Sequence, residues 1–224
     1  MDFSPSPRAA ELTEAVRAFV EAEIAPVERH LHDRAGEVRR HGTGADLWHV
    51  PDEVRELQRK ARKLGLWNLF LPAEHAGPYA ERFGTRDGMG LSNLDYAPVA
   101  EATGWSALAP FVFNCNAPDS GNAEVLLRYG SPEQRERWLE PLLDGRIRSA
   151  FAMTEPAVAS SDATNMQLTA VLDGDEVVLD GRKWWTTGIG HPDCAVLIVM
   201  GLSNPDAPGT AGTRWCSSRA THPA

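Results

Sequence analysis

A basic surplus is missing from this 224-residue chain: 22 Lys and Arg stand against 31 Asp and Glu, a net charge of −9. Nonspecific nucleic-acid binding rests on a basic face, so this balance argues against it. No apolar run reaches the roughly 18 residues that cross a membrane. The start, Met1-Asp2-Phe3-Ser4-Pro5, lacks the basic-then-apolar order of a secretory signal. Cysteine is scarce. Cys115, Cys194 and Cys216 are odd in number and far apart, which suits neither a metal site nor a disulfide framework and reads as a reducing, cytoplasmic setting. The seven histidines are scattered without a His-x-x-x-His pair, so no metal site is expected. Internal repeats and low-complexity tracts are absent before residue 203.

Apolar residues make up 42% of the chain, ample for a core. Ser6-Pro7 is a helix start, and Leu12, Ala15, Val16, Phe19, Val20 and Ile24 follow at helical spacing. Pro26 should limit or kink that helix, and the glycines over 35–50 read as a loop. Pro51-Asp52 opens a second helix with Val54, Leu57, Ala61 and Leu64 on one face and Gly65 at its end. The glycines over 73–91 carry no phosphate-loop pattern and read as another loop. Ser92 caps a third helix, Ser120 to Tyr129 form another, and Ser131-Pro132-Glu133-Gln134 is a capping box before Trp138, Leu139, Leu142 and Leu143. Residues 1–147 are therefore expected to be all-helical. Residues 148–206 change to short strands: Ile147 to Met153, a hairpin, and Cys194 to Met200. The fold class is α+β, a helical domain followed by an incomplete antiparallel β domain.

The densest chemistry lies between Phe151 and Gly188. Phe151-Ala152-Met153 leads into Thr154-Glu155-Pro156, then a small, hydroxyl-rich loop ending Ser160-Ser161-Asp162. Alternating runs flank Asp173-Gly174, which predicts a hairpin turn with these two as its central residues. Lys183-Trp184-Trp185-Thr186-Thr187-Gly188 closes the stretch. On a strand the two tryptophans would face opposite ways, one into a core and one over a flat ligand. Taken singly, each feature has an ordinary reading: strand threonines, core tryptophans, a serine-rich turn.

In this order the motifs resemble the acyl-CoA dehydrogenases, in the branch also found fused to kinase-like domains. The quoted features are Phe151, Thr154-Glu155-Pro156, a loop one residue longer than the commonest form ending Ser161-Asp162, Gly174-Asp175, and Asp180-Gly181-Arg182-Lys183-Trp184-Trp185-Thr186-Thr187. The resemblance implies FAD as cofactor, an acyl-CoA substrate and oxidation of its α,β bond with hydride transfer to flavin N5. It further implies an electron-transfer flavoprotein as acceptor and a homo-oligomer in intact relatives. A net negative chain still leaves room for a local basic site for CoA phosphates. By the same resemblance, Trp185 walls the flavin, and Thr154 and Thr187 bond near its N1/O2 and N5. Phe151, Met153, Ser160 and Thr186 line the site, and Ser161 contacts acyl-CoA. Glu155 is structural, not a base. No catalytic residue is assigned, because the family's base is a glutamate in a C-terminal helical bundle.

The resemblance is expected to fade after about Asp206, leaving 207–224 as an irregular tail. Read as the codons CGN TGG TGC TCN TCN CGN and shifted by two bases, Arg214 to Arg219 become Met, Leu or Val, then Val, Leu, an aliphatic residue or Phe, and a codon open to Pro, which points to a frameshift near residues 207–213. On this reading the chain is a truncated dehydrogenase, inactive alone, that holds FAD weakly or not at all. The alternatives are a noncatalytic interaction remnant, or a flavin oxidase or hydroxylase on the same fold. Sequencing the gene tests the frameshift: a downstream frame encoding the bundle is expected, and its absence would contradict it.

Overall fold

The computed structural model describes residues 3–43, 46–47, 49–84, 90–159 and 162–204, together with the backbone of 213–219. The chain divides into two compact units, Met1–Arg146 and Ile147–Ala224.

In the first unit the local start signals act where they stand. The Ser6 side chain accepts from the Ala9 N–H, and Pro7 occupies the first turn of α1 (Pro7–Phe19). Pro26 does not end the helix. A wide π-type turn over Val20–Ile24 leads into α2 (Ala25–His41), with Pro26 in its first turn. A proline removes one N–H and crowds the preceding turn, and a wider turn upstream absorbs both. Helix α2 thus runs through Gly36 and part of the expected 35–50 loop; one glycine costs about 1 kcal/mol in a helix, too little to stop it.

Helix α3 (Asp52–Lys63) buries Val54, Leu57 and Ala61, whereas Leu64, at its cap, is exposed before Gly65 turns the chain at φ 71°. Helix α4 (Gly77–Phe83) occupies part of the expected 73–91 loop. Helices α5 (Asn93–Thr103), α6 (Ala109–Val112) and α7 (Asp119–Tyr129) follow, α5 capped by the Ser92 side chain. The Ser131–Gln134 capping box forms at α8 (Pro132–Gln134); a second π-type turn, Arg135–Leu139, then leads to α9 (Glu140–Leu143). Leu139, Leu142 and Leu143 are buried, but Trp138 is only half-buried, with the Arg137 guanidinium 4.5 Å from its ring centre. Phe19 meets Phe113 edge-on at 5.4 Å inside the main core.

The second unit is a five-stranded sheet: β1 (Arg148–Ala152), β2 (Thr169–Asp173), β3 (Glu176–Asp180), β4 (Cys194–Leu202) and β5 (Thr213–Arg219). It is mixed, not antiparallel. The β2–β3 and β4–β5 pairs are antiparallel, but β1 runs parallel to β4 and β2 joins β4 in parallel at Thr169 and Leu202. Turn residues fix the direction of a hairpin; they say nothing about strands forty residues apart. The hairpin turn is also shifted by one: Asp173 pairs with Glu176, so Gly174-Asp175 are central, and Gly174 at φ 60° supplies the left-handed first position. The segment expected to be irregular after residue 206 contains β5, in register with β4 from Val196 to Leu202. The hairpin exposes Val171, Leu172, Val177 and Val178, two on each face.

One buried polar knot fixes the loops of the first unit. Asn68 and Asn114 adopt left-handed backbone, φ 51° and 54°, which short polar side chains tolerate best. The Asn68 amide donates to the carbonyls of Phe83 (2.5 Å) and Leu143 (2.8 Å) and accepts from Asn114 Nδ2 at 2.7 Å. Trp67 Nε1 donates to the same Leu143 carbonyl. Asn68→Ala should destabilise this unit by about 3 kcal/mol, because it takes the side-chain donor from the Phe83 carbonyl, removes one acceptor from Asn114 and puts Ala at positive φ. Asn68→Gly should recover about 1 kcal/mol of that by relieving the backbone alone. Urea melts read both; an Asn68→Ala midpoint equal to wild type would contradict the assignment.

Candidate functional site

Every described residue of the expected site lies in the second unit, on two segments that one side chain draws together. Glu155, following β1, is 3% exposed. Its Oε1 lies 2.8 Å from Lys183 Nζ, and its two oxygens accept from the N–H groups of Leu168 (2.9 Å) and Gln167 (2.8 Å). Lys183 also donates to the Met153 carbonyl at 2.9 Å. The next residue, Trp184, donates its N–H to the Thr154 carbonyl at 3.0 Å. Burial pushes the Glu155 carboxyl up, but the Lys183 ammonium and the two amides outweigh it and hold it below the usual glutamate range. A charge that is buried, paired and fully hydrogen-bonded is a structural anchor, as expected of Glu155, and its basicity is lowered.

The approach of these segments leaves no room for a side chain at position 181. Gly181 has φ 148°, and a Cβ there would sit 2.8 Å from Leu168. Further on, Thr187–Gly190 form a turn in which Gly188, at φ 87°, passes 3.3 Å (measured from an added Cβ) from the Ser149 carbonyl. His191 N–H donates to Gly188, and Arg148 N–H to Asp193, tying this turn to the start of β1.

Between these ties the two tryptophans depart from expectation. Residues 182–186 are not a strand, neither indole enters a core, and the rings face each other at 5.6 Å and 50° instead of pointing apart. Trp185 has φ 51°, which breaks the alternation a strand would impose. Trp184 is 44% and Trp185 79% exposed. Thr154 and Thr187 are exposed, while Thr186, Phe151 and Met153 are half-buried. Among the described residues, neither the Thr154 nor the Thr187 hydroxyl takes part in a hydrogen bond. Ser160 and Ser161 lie outside the described residues. An exposed flat aromatic, on a segment hydrogen-bonded through Trp184 to the one that carries the Thr154 hydroxyl, is a set of groups that suits a planar heteroaromatic ring. Lys183 carries no assigned role in the sequence reading. The signal was present only in part: Lys183 stands between Arg182 and two tryptophans, and whichever of the two cations is buried must find an anion.

Comparison with known proteins bears directly on this stretch. The family description "Acyl-CoA dehydrogenase, N-terminal domain" matches residues 6–146, and "Acyl-CoA dehydrogenase, middle domain" matches residues 150–222, past the point where the resemblance was expected to fade. The chain belongs to the acyl-CoA dehydrogenase family. It is 48% identical over 208 residues to probable acyl-CoA dehydrogenase FadE2 of Mycobacterium tuberculosis, covering 92% of this chain and 46% of that one. It is 46% identical over 199 residues to acyl-CoA dehydrogenase family member 11 of Gallus gallus, covering 89% of this chain and 23% of that one. A solved structure assigned to the acyl-CoA dehydrogenases of Mycobacterium abscessus superposes with TM-score 0.84 at 59% identity, over 96% of this chain and 51% of that one. PigA, solved with FAD and proline, superposes with TM-score 0.65 at 25% identity, over 98% of this chain and 49% of its own. The chain thus spans about half or less of the proteins it matches. Among the described residues, no helix is long and apolar enough to cross a membrane.

The Glu155–Lys183 pair sets a measurable cost. Lys183→Met should destabilise the second unit by about 3–5 kcal/mol, because it strands a buried carboxylate. Glu155→Gln/Lys183→Met should recover much of that loss. The depressed Glu155 pKa also fixes the sign with pH: its contribution is complete above the unfolded value of about 4.3 and is lost as pH falls below it, through the folded value. Urea melts of the single variant within about 0.5 kcal/mol of wild type would contradict a buried, paired anchor.

Proposed function

We propose that this chain supplies one wall of an FAD site in an enzyme that oxidises the α,β bond of an acyl-CoA thioester. The observation that carries the reading is the Trp184 N–H to Thr154 carbonyl bond, 3.0 Å. Within a chain of this family, it sets the Thr154 hydroxyl segment beside an exposed Trp185. Trp185 covers the flat face of the ring. Thr154 and Thr187 donate hydroxyl hydrogens at its edge, with Thr186, Phe151, Met153 and Ser160 completing that wall. Ser161 contacts the acyl-CoA. When bound, FAD supplies the two-electron oxidant. The protein's own contribution is to place donors where negative charge builds as the ring is reduced, without reorganisation during the reaction. PigA, whose structure contains FAD, shares this fold and supports the choice of cofactor. No residue of this chain is assigned as the base, and Glu155 is unsuited to it, being buried, paired and of lowered basicity. An electron-transfer flavoprotein as acceptor, a homo-oligomeric assembly and a cytoplasmic setting belong to the same proposal.

All the assigned flavin contacts meet the ring and none meets the adenosine half. FAD and FMN should therefore bind this chain weakly and with similar affinity, each quenched on stacking against Trp185. Trp185→Ala should abolish the quenching. Thr187→Val should weaken binding by roughly 3–10-fold, the worth of one hydrogen bond. Acyl-CoA should not bleach the bound flavin under anaerobic conditions. Quenching that survives Trp185→Ala would overturn the site, and bleaching would reveal a base among these residues.

A further inference from the structure

Trp185 holds a conformation that its own surroundings do not stabilise. A bulky residue at φ 51° is strained, and an indole 79% exposed gains little from packing. Strain of this kind persists only where the flanking chain over-determines it. Two residues upstream, the Lys183 side chain is 9% exposed, with Nζ fixed by Glu155 at 2.8 Å and by the Met153 carbonyl at 2.9 Å. One residue upstream, the Trp184 N–H is fixed by Thr154. Downstream, the Thr186 carbonyl accepts from Ile189, and Gly188 turns at φ 87°. Glu155 is in turn fixed by Gln167 and Leu168 at the approach to β2.

We propose that Glu155 and Lys183 are positioning residues for Trp185, their ion pair holding residues 183–185 so that the indole face and the Thr154 hydroxyl are presented together to a planar ligand. The proposal rests on the flavin reading above for the identity of that ligand, and on the geometry of these five residues for everything else. It differs from a purely stabilising role, in which loss of the pair would lower the melting point and leave Trp185 where it is. Lys183 reaches two groups from one side chain, Glu155 Oε1 and the Met153 carbonyl, and stands two residues before Trp185, so its loss loosens the segment that carries the strained residue. The lowered Glu155 pKa agrees with a pair that stays ionised at neutral pH.

The test uses the whole chain and the coupled indoles as the reporter. Rings 5.6 Å apart at 50° should give an exciton couplet in the far-ultraviolet circular dichroism, identified by its loss in Trp184→Phe. Glu155→Gln/Lys183→Met removes the pair without stranding a charge. It should reduce the couplet to the Trp184→Phe level while the strand and helix signals remain; Lys183→Arg, which keeps the cation, should retain it. A couplet that survives in the folded double variant overturns the proposal. Should the double variant fail to fold, acid titration of the unaltered chain decides. The couplet should disappear as Glu155 protonates, before the backbone signal changes, and a couplet lost only with global unfolding overturns the proposal. FAD fluorescence is read in the same samples. A couplet that follows the pair without any FAD quenching supports positioning and sinks the flavin reading. Quenching with a couplet indifferent to the pair does the reverse.

Discussion

The buried carboxylate of Glu155 is the constraint on which the second unit turns. It satisfies two backbone amides at the approach to β2 and one ammonium from the segment after β3, and it leaves β1 only three residues before. Those three attachments bring together stretches of chain that no strand ladder joins. Among the described residues, Leu168 belongs to an apolar cluster with Ala152 and Val199, with Leu179 and Leu197 packed against it. A buried, charge-assisted knot beside such a cluster has structural weight that surface ion pairs lack. Lys60 and Glu23 on the first unit are a useful contrast: their contact is as short, 2.6 Å, but both side chains are well exposed.

The first unit uses the same device without charge. Asn68 and Asn114 stand at positive φ, share a hydrogen bond and satisfy the carbonyls that end α4 and α9. In both units, then, a fully satisfied polar group organises irregular backbone that the apolar core cannot direct. Hydrophobic contacts are non-directional; hydrogen bonds in a low-dielectric interior are directional and costly to leave unmade.

Much of the fold was legible wherever the information is local. The Ser6 and Ser92 caps, the Ser131–Gln134 capping box and the run from Cys194 into β4 all stand where the sequence places them. Failures fall where the deciding interaction is distant. Pro26 is absorbed by a wide turn that no propensity announces. The parallel pairing of β1 with β4 depends on a route of some forty residues, not on alternation. In the site, the motif order located the segments, but the pairing of Trp184 and Trp185 was misread because a strand was assumed. A positive φ at tryptophan follows from three neighbouring attachments and leaves no trace in residue type. Lys183 was not separable by residue type from its neighbour Arg182; its burial against Glu155 is what distinguishes it.

The central claim is that the face formed by Thr154, Trp185 and Thr187 receives a flavin ring. Its most direct measurement is a nuclear magnetic resonance titration of the isotopically labelled chain with FAD. The indole N–H of Trp185 and the methyl groups of Thr154 and Thr187 should shift together along one binding curve, with the Asn68 and Asn114 side-chain amides unmoved. Shifts confined to the first unit, or a Trp185 signal indifferent to flavin at saturating concentration, would contradict the account.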